Sequence, residues 1–299
     1  MGAADGVGFV GLGEMGAPMA SHLVSWPGGL VVCDVRAEAR DTLADRGARV
    51  ARTPAEVALE SEVVSVMVLD DEQVKEVVLG PSGILAAGRS GIVVALHSTI
   101  SPRTAEQMAA MCEPRGVAVV DAPVSGGVIG AHEGRLAVLV GGEADAVERC
   151  RGPFGMWAEL FVHLGPVGAG TRGKLARNLL HYASFTAAAE AQRLAEAAGV
   201  DLHDLARVVR HTDRLTGGPG MVMLRDTTEP MAPGDAWYDT LAHVRDLGEK
   251  DLALALALGN DLGVDLPLAR AARRHLAEGL GVPHATPSAH STPSAQESA

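Results

Sequence analysis

Lysine is nearly absent from this 299-residue chain: only three stand among its 25 basic side chains, and the rest are arginine. Arginine keeps its charge at any ordinary pH, so it cannot take up and release a proton near neutrality. Lysine can, once burial or a neighbouring positive charge lowers its pKa. Two of the three, Lys174 in GPVGAGTRGKLARNLLHY and Lys250 in GEKDLALALA, stand where such chemistry has a use. Aromatic residues are scarce too, at 3% against 47% hydrophobic, so Ala, Val and Leu must build the core, as suits close-packed helices. A positive balance is lacking. The formal charge of −12 argues against nucleic acid or an anionic membrane surface as partner, since both reward a basic face.

The three cysteines, Cys33, Cys112 and Cys150, form no CxxC pair. That suggests neither a disulfide framework nor a zinc site and fits small buried hydrophobes. His, Cys and acidic residues show no metal-ligand constellation, so no metal is expected. Long apolar runs are missing: Leu252 to Leu258 is far too short to cross a bilayer. The amino terminus lacks the basic region and apolar stretch of a signal peptide, and Gly6 stands where a myristoylation motif wants Ser or Thr. A cytoplasmic protein without membrane attachment is expected.

What is present divides into two kinds of text. From Val7 to Leu164, the runs VGFV, VVCDV, EVVSVMVL, GIVVALH, VAVVDAPV, RLAVLVGG and ELFVHLG read as strands. Several are continuously apolar, as expected of a parallel sheet covered on both faces. Helical stretches such as PMASHLV, SPRTAEQMAAMCEPRG and ADAVERC lie between them, which points to a doubly wound α/β domain over residues 1–164. After Gly173 the strands stop. Helices are expected over Lys174–Ala198, Leu202–His211, Trp237–Gly259 and Leu266–Gly279, with Gly165 to Gly170 as connector, giving an all-α domain over 165–283. LLHYASFTAAAEA is apolar on nearly every face, which predicts burial in a domain or subunit interface. The tail, 284–299, is rich in Pro, Ser, Thr and Ala and reads as disordered.

VGFVGLGEMGAPMASHLV places Gly11, Gly13 and Gly16 in G-x-G-x-x-G spacing, after a strand and opening a helix. In that context the first glycine makes the tight turn, the second lets backbone approach a pyrophosphate, and the third lets helix and strand pack closely. Leu12, Glu14 and Met15 complete a loop whose N–H groups would hold the phosphates. Asp34, at the end of the second strand, can accept from both ribose hydroxyls and would repel a 2′-phosphate. That favours NAD over NADP, with Arg36 close enough to soften the preference. Ser125-Gly126-Gly127, after the strand VAVV, offers a hydroxyl and open backbone N–H groups, either as a carboxylate nest or as an ordinary glycine turn. Lys174 and Asn178 share a helix face and can hold a hydroxyl or carbonyl between them. Thr99 ends a strand near the expected cofactor edge, although Ser101-Pro102 makes helix capping a strong rival there. His163, His181 and His243 fall in no catalytic pattern that the sequence shows and read as structural or surface residues.

Four motifs in order, GFVGLGEMGAPMA, DAPVSGG, GAGTRGKLARN and EKDLALAL, resemble the β-hydroxyacid dehydrogenase family, which includes 3-hydroxyisobutyrate dehydrogenase and tartronate semialdehyde reductase. The resemblance covers nearly the whole chain except the tail. It implies a Rossmann-type domain followed by a helical one. It implies an NAD- or NADP-dependent hydride transfer on a small carboxylate-bearing substrate, with Lys174 as general acid and base and Asn178 helping to hold that substrate. Ser125, Gly126 and Gly127 would grip the carboxylate. Leu69 and Thr99 would face the nicotinamide, and Lys250 would approach the cofactor from the helical domain. A homodimer or homotetramer formed through that domain is implied as well. The segment 211–239 departs from the texts associated with the well-known substrates, which leaves substrate identity open. Imine reductases, relatives of the family, usually carry Asp or Tyr at the place of Lys174, so the amine disfavours that activity. A cofactor-binding protein without catalysis is the remaining alternative.

Overall fold

The computed structural model describes residues 6–284. The tail read as disordered falls outside the described residues, His284 excepted. The strands are β1 (Val7–Val10), β2 (Leu30–Cys33), β3 (Arg49–Val50), β4 (Val63–Val66), β5 (Val93–Leu96), β6 (Ala118–Asp121), β7 (Val124–Ser125), β8 (Leu136–Gly141) and β9 (Ala158–Gly165). Between them run α1 (Gly16–His22), α2 (Ala37–Ala44), α3 (Pro54–Leu59), α4 (Asp71–Leu79), α5 (Pro102–Cys112), α6 (Gly127–Glu133) and α7 (Ala144–Phe154). The strands β3-β2-β1-β4-β5-β6 lie in that order and all parallel, the doubly wound arrangement of a dinucleotide domain. Beyond them β8 runs antiparallel to β6 and β7, and β9 pairs parallel with β8.

All seven apolar runs form strands. In the central parallel strands the two-residue period buries both faces: Phe9, Val32, Val93 and Val120 enter one hydrophobic layer, while Val10, Val31, Val94 and Val119 enter the other. β9, at the far edge, is half exposed, with Leu160 and Leu164 toward solvent. Each such side chain, fully buried, contributes about 1.5–3 kcal/mol. Strand β3 was not expected. Two exposed residues at a sheet edge are too short to show a period. VAVVDAPV also divides, at Ala122-Pro123, into β6 and β7. Burial pushes the Cys112 and Cys150 thiols up to about 11 and about 12, so both behave as small core hydrophobes.

At the amino ends of β4 and β5, Glu62 pairs with both Arg89 and Arg149. Arg89 also donates to the carbonyls of Ala58 and Leu59, and Arg149 to those of Glu62 and Gly91. This cluster staples α3, β4 and β5 together at the sheet end where the parallel strands begin.

One compact unit closes at Asn178 and a second begins at Leu179. The helix α8 (Ala169–Ala197) contributes its first ten residues to the first unit and the rest to the second. The second unit adds α9 (Leu202–Thr216), α10 (Tyr238–Leu262) and α11 (Pro267–Leu280), and no strand among its described residues. α10 and α11 pack through Leu241, Leu276, Leu280 and Val282. Glu190 of α8 accepts from the N–H groups of Leu268 and Ala269 at 2.7 and 3.0 Å and so caps α11. On α8, Leu179, Tyr182 and Phe185 are exposed on the single chain. No helix of the described residues is long and apolar enough to cross a membrane.

His97, just past β5, is buried among Phe9, Phe154 and Trp157, with ring centroids 5.0–6.3 Å away. Its Nδ1 lies 2.8 Å from the Ala122 carbonyl and its Nε2 3.0 Å from the Ser65 hydroxyl. These partners suit a neutral ring that donates from Nδ1 and accepts at Nε2. Burial lowers its pKa from 6.5 to about 4, against the opposing pull of the Ala122 carbonyl. The unfolded chain therefore binds a proton below pH 6.5 that the folded chain refuses until about pH 4. Folding stability should fall by about 3 kcal/mol across that window from this group alone. Urea unfolding of the wild type and H97Q at a series of pH values checks it: the H97Q curve should be flatter by that amount, and parallel curves would contradict the assignment.

Candidate active site

The pairing register brings the strand ends into one line. Cys33, Val10, Val66, Leu96 and Asp121 are successive neighbours across β2, β1, β4, β5 and β6. The residues that follow each of them leave the sheet along its carboxyl edge, where ligands of open α/β sheets bind. Asp34, Gly11 to Gly16, Leu69, Thr99 and Ser125 all follow these ends, so the pattern of short loops in the sequence becomes one continuous rim.

At its centre lies the glycine loop. Gly11 has φ +94°, and a Cβ there would strike the Met67 carbonyl of the neighbouring β4 loop. A Cβ on Gly16 would strike the carbonyl of Gly11, so helix and strand are as close as backbones allow. Gly13 differs: nothing of the protein lies within 4 Å of a Cβ placed there. The N–H groups of Gly13, Glu14 and Met15 donate to no protein acceptor among the described residues, and α1 has neither a side-chain cap nor an acid in its first turn. Unused donors beside open space, at a helix start without a protein anion, fit a pyrophosphate.

Asp34 is already engaged. Its Oδ2 accepts from the Leu12 N–H at 2.6 Å, and its Oδ1 from the Arg36 N–H at 2.8 Å and Nε at 3.2 Å. Burial would raise its pKa, but these donors outweigh burial and hold the carboxyl below its ordinary value, hence ionised at neutrality. Arg36 also donates to the Leu12 carbonyl at 2.8 Å. The arginine is thus folded back onto the loop. A carboxylate has about four acceptor sites, so Asp34 retains capacity for a ribose hydroxyl.

Leu69 is 79% exposed, and Thr99 is exposed as well. Ser98, which the sequence did not flag, joins their loops: its hydroxyl accepts from the Val68 N–H at 3.0 Å and donates to the Val68 carbonyl at 2.7 Å. Ser101 takes the N-cap position of α5 ahead of Pro102, yet its side chain makes no cap bond. Its N–H donates instead to Asp71 of α4.

The helix of Lys174 begins five residues earlier than expected, inside the segment read as connector. The cause is Asp121. Its two carboxylate oxygens accept from the N–H groups of Gly168 and Thr171 at 2.7 and 2.6 Å, which satisfies the first turn of α8 from outside the helix. Gly141 and Gly170 allow the contact, since a Cβ on either would collide with the other's backbone N or with Asp121. Asp121 is wholly buried; burial raises its pKa, and the Thr171 and Gly168 N–H groups pull the other way. An acid alone in the apolar run VAVVDAPV is the one trace of this contact in the sequence. Arg172 adds an ion pair with Glu106 of α5.

Lys174, one turn on, is 8% exposed, and its amine has neither hydrogen-bond nor ion-pair partner among the described residues. The other two lysines are paired, Lys75 with Glu72 and Lys250 with Asp251. Burial first, and the Arg177 charge second, lower the Lys174 pKa from 10.5 to about 8. Asn178 accepts from Arg177 at 3.3 Å. Ser125 pairs opposite Ala137 of β8, and its hydroxyl has no protein partner among the described residues. Gly126 and Gly127 follow with φ +134° and +65°, a turn that needs glycine whether or not it holds an anion. Lys250 is exposed on α10, in the second compact unit. His163 bridges the Gly142 and Gly165 carbonyls, a structural role. No metal-holding cluster of His, Cys, Asp or Glu occurs among the described residues.

Comparison with known proteins bears on this geometry. Residues 6–165 match the family of the NAD binding domain of 6-phosphogluconate dehydrogenase, and residues 168–285 that described as NAD-binding of NADP-dependent 3-hydroxyisobutyrate dehydrogenase. An uncharacterized oxidoreductase of Mycobacterium tuberculosis is 52% identical over 93% of this chain and 94% of its own. An NAD-dependent L-serine dehydrogenase of Pseudomonas aeruginosa is 38% identical over 71% of this chain and 70% of its own. The crystal structure of a putative oxidoreductase from Mycobacterium avium, 50% identical, superposes with a TM-score of 0.88 over 93% of this chain and 99% of its own. A 3-hydroxyisobutyrate dehydrogenase of Mycobacterium tuberculosis, solved with L-serine, does so at 0.65 with 31% identity, over 92% and 93%. An imine reductase from Pseudomonas sp. shares the fold alone, at 21% identity and a TM-score of 0.70.

The glycine loop separates two kinds of substitution. G16A drives a methyl into the Gly11 carbonyl and should cost about 1–3 kcal/mol of stability, read by urea unfolding. G13A meets no protein atom, so it should leave stability near wild type while raising the NAD dissociation constant about tenfold or more, read by calorimetric titration. Unaltered affinity in G13A would count against a pyrophosphate at this position.

Proposed function

Because this chain belongs to the 3-hydroxyisobutyrate dehydrogenase family of NAD-binding oxidoreductases, we propose that it moves a hydride between a small β-hydroxyacid and NAD, with Lys174 as general acid and base. The observation that carries this reading is the buried, unpaired amine of Lys174, poised near neutrality on a helix anchored at the carboxyl edge of the sheet. When bound, the nicotinamide supplies the hydride acceptor for oxidation and the donor for reduction. In oxidation the neutral Lys174 amine takes the proton of the β-hydroxyl. The O–H electron pair becomes the second bond of the new carbonyl as the hydride leaves the β-carbon. In reduction the ammonium returns the proton to the carbonyl oxygen. Asn178 steadies that oxygen, and the Ser125 hydroxyl with the Gly126 and Gly127 N–H groups binds the carboxylate.

Replacing Lys174 by Ala should lower kcat by about 10²–10⁴-fold, the usual worth of a positioned acid–base group, with NAD affinity little changed. K174R should fail as well, because guanidinium keeps its proton. With Lys174 near pKa 8, kcat/KM for oxidation should rise with pH up to about 8 and level off above it, while reduction should decline above the same point. Cofactor absorbance assayed with 3-hydroxyisobutyrate and L-serine, among a panel of β-hydroxyacids, reads all of these. No turnover of any member with either cofactor, or a fully active K174A, would sink the reading.

NAD is favoured because Asp34 is ionised and faces the ribose position, and because Arg36 is committed to Asp34 and the Leu12 carbonyl. The NAD-dependent serine dehydrogenase relative points the same way. The wild type should therefore bind NAD at least about tenfold more tightly than NADP, and D34A should narrow that gap. A strong wild-type preference for NADP would overturn the role given to Asp34.

A further inference from the structure

We propose that Asp121 is a positioning residue for the reaction: it sets where the Lys174 amine stands relative to the Ser125 loop by clamping the first turn of α8 to the end of β6. The inference rests on the acid–base reading of Lys174.

A helix usually caps itself with a Ser, Thr, Asp or Asn just before its first turn, and such a cap travels with the helix. Here that option is closed, because the residue at the position is Gly168, with φ +91°. The cap comes instead from 47 and 50 residues upstream, where Asp121 reaches the Gly168 and Thr171 N–H groups. A cap delivered from the sheet fixes the helix along its axis and about it. Burying a carboxylate costs several kcal/mol, more than an ordinary cap returns, so capping alone is a poor explanation for an acid at this place. What the acid adds is a common reference. Asp121 pairs with Gly141 and Ser125 with Ala137, both on β8, so the loop that would hold the carboxylate and the clamp on α8 share one strand as ruler. Lys174 follows Thr171 by three residues, about 4.5 Å along the helix. Asp121 itself is wholly buried with both oxygens occupied, which excludes direct contact with substrate.

A displacement of about 1 Å between reacting groups can cost about a hundredfold in rate. D121N, isosteric but short of one acceptor, should lower kcat by that order while the NAD dissociation constant stays within about twofold and the KM for the hydroxyacid within about tenfold. D121S replaces the carboxylate by one shorter hydroxyl acceptor; it should behave alike and serves should D121N fail to fold. A second readout needs no substrate. Acetic anhydride labelling, followed by mass spectrometry, reports Lys174 against Lys75 and Lys250 as internal references, and D121N should raise the Lys174 rate severalfold over theirs. Wild-type kcat in both variants overturns the inference, and so does a fall in kcat with unchanged Lys174 labelling. An active K174A, or a wild type inert toward the whole panel, sinks the functional reading itself; an inert K174A beside an active D121N sinks only the role of Asp121.

Discussion

Two N–H groups at the start of α8 and the carboxylate of Asp121 form the contact on which the arrangement of the first unit turns. The carboxylate is buried, and its desolvation must be offset by short bonds to a helix end whose partial positive charge it meets. Close approach of backbone to backbone makes this possible: the glycines at 141 and 170 leave no volume between β8 and the helix. The same device recurs in the second unit, where Glu190 reaches across to the first turn of α11. In both cases an acid distant in sequence, rather than a local cap, determines where a helix is seated.

Around that contact the sheet provides alignment. Parallel strands in register end together, so loops from β1, β2, β4, β5 and β6 emerge side by side without long connections. Small polar links then tie loop to loop: Leu12 to Asp34, Val68 to Ser98, Asp121 to Thr171. Each is a side-chain oxygen meeting a backbone N–H of the neighbouring loop. The rim is rigid where the protein needs its own backbone satisfied and leaves donors spare where a ligand's anionic groups would sit.

Much of this was legible in the residues themselves. Continuously apolar runs such as LVVC and VVAL announced a covered parallel sheet because burial on both faces leaves no polar position to break the run. The glycine spacing and Lys174 were legible because their chemistry requires specific residue types. What escaped shares one cause. Asp121, Ser98 and His97 act on backbone atoms 25 to 50 residues away, and a backbone N–H or carbonyl has no letter of its own in the sequence. The early start of α8 escaped for the same reason: its glycines argue locally against a helix, and only the distant carboxylate reverses that preference. β3 gave no sign because two exposed residues carry no periodicity.

The arginine pair around Glu62 lies at the opposite end of the strands from the rim of loops. The sheet is thus tied at both ends, by ion pairs where the strands begin and by Asp121 where they finish, with two apolar layers between. Rim loops outside those ties can be rewritten by mutation while layers and ties keep strands and helices in place. A scaffold built in this way is well suited to retooling, in which new substrates are acquired by drift in the rim without passing through unfolded ancestors.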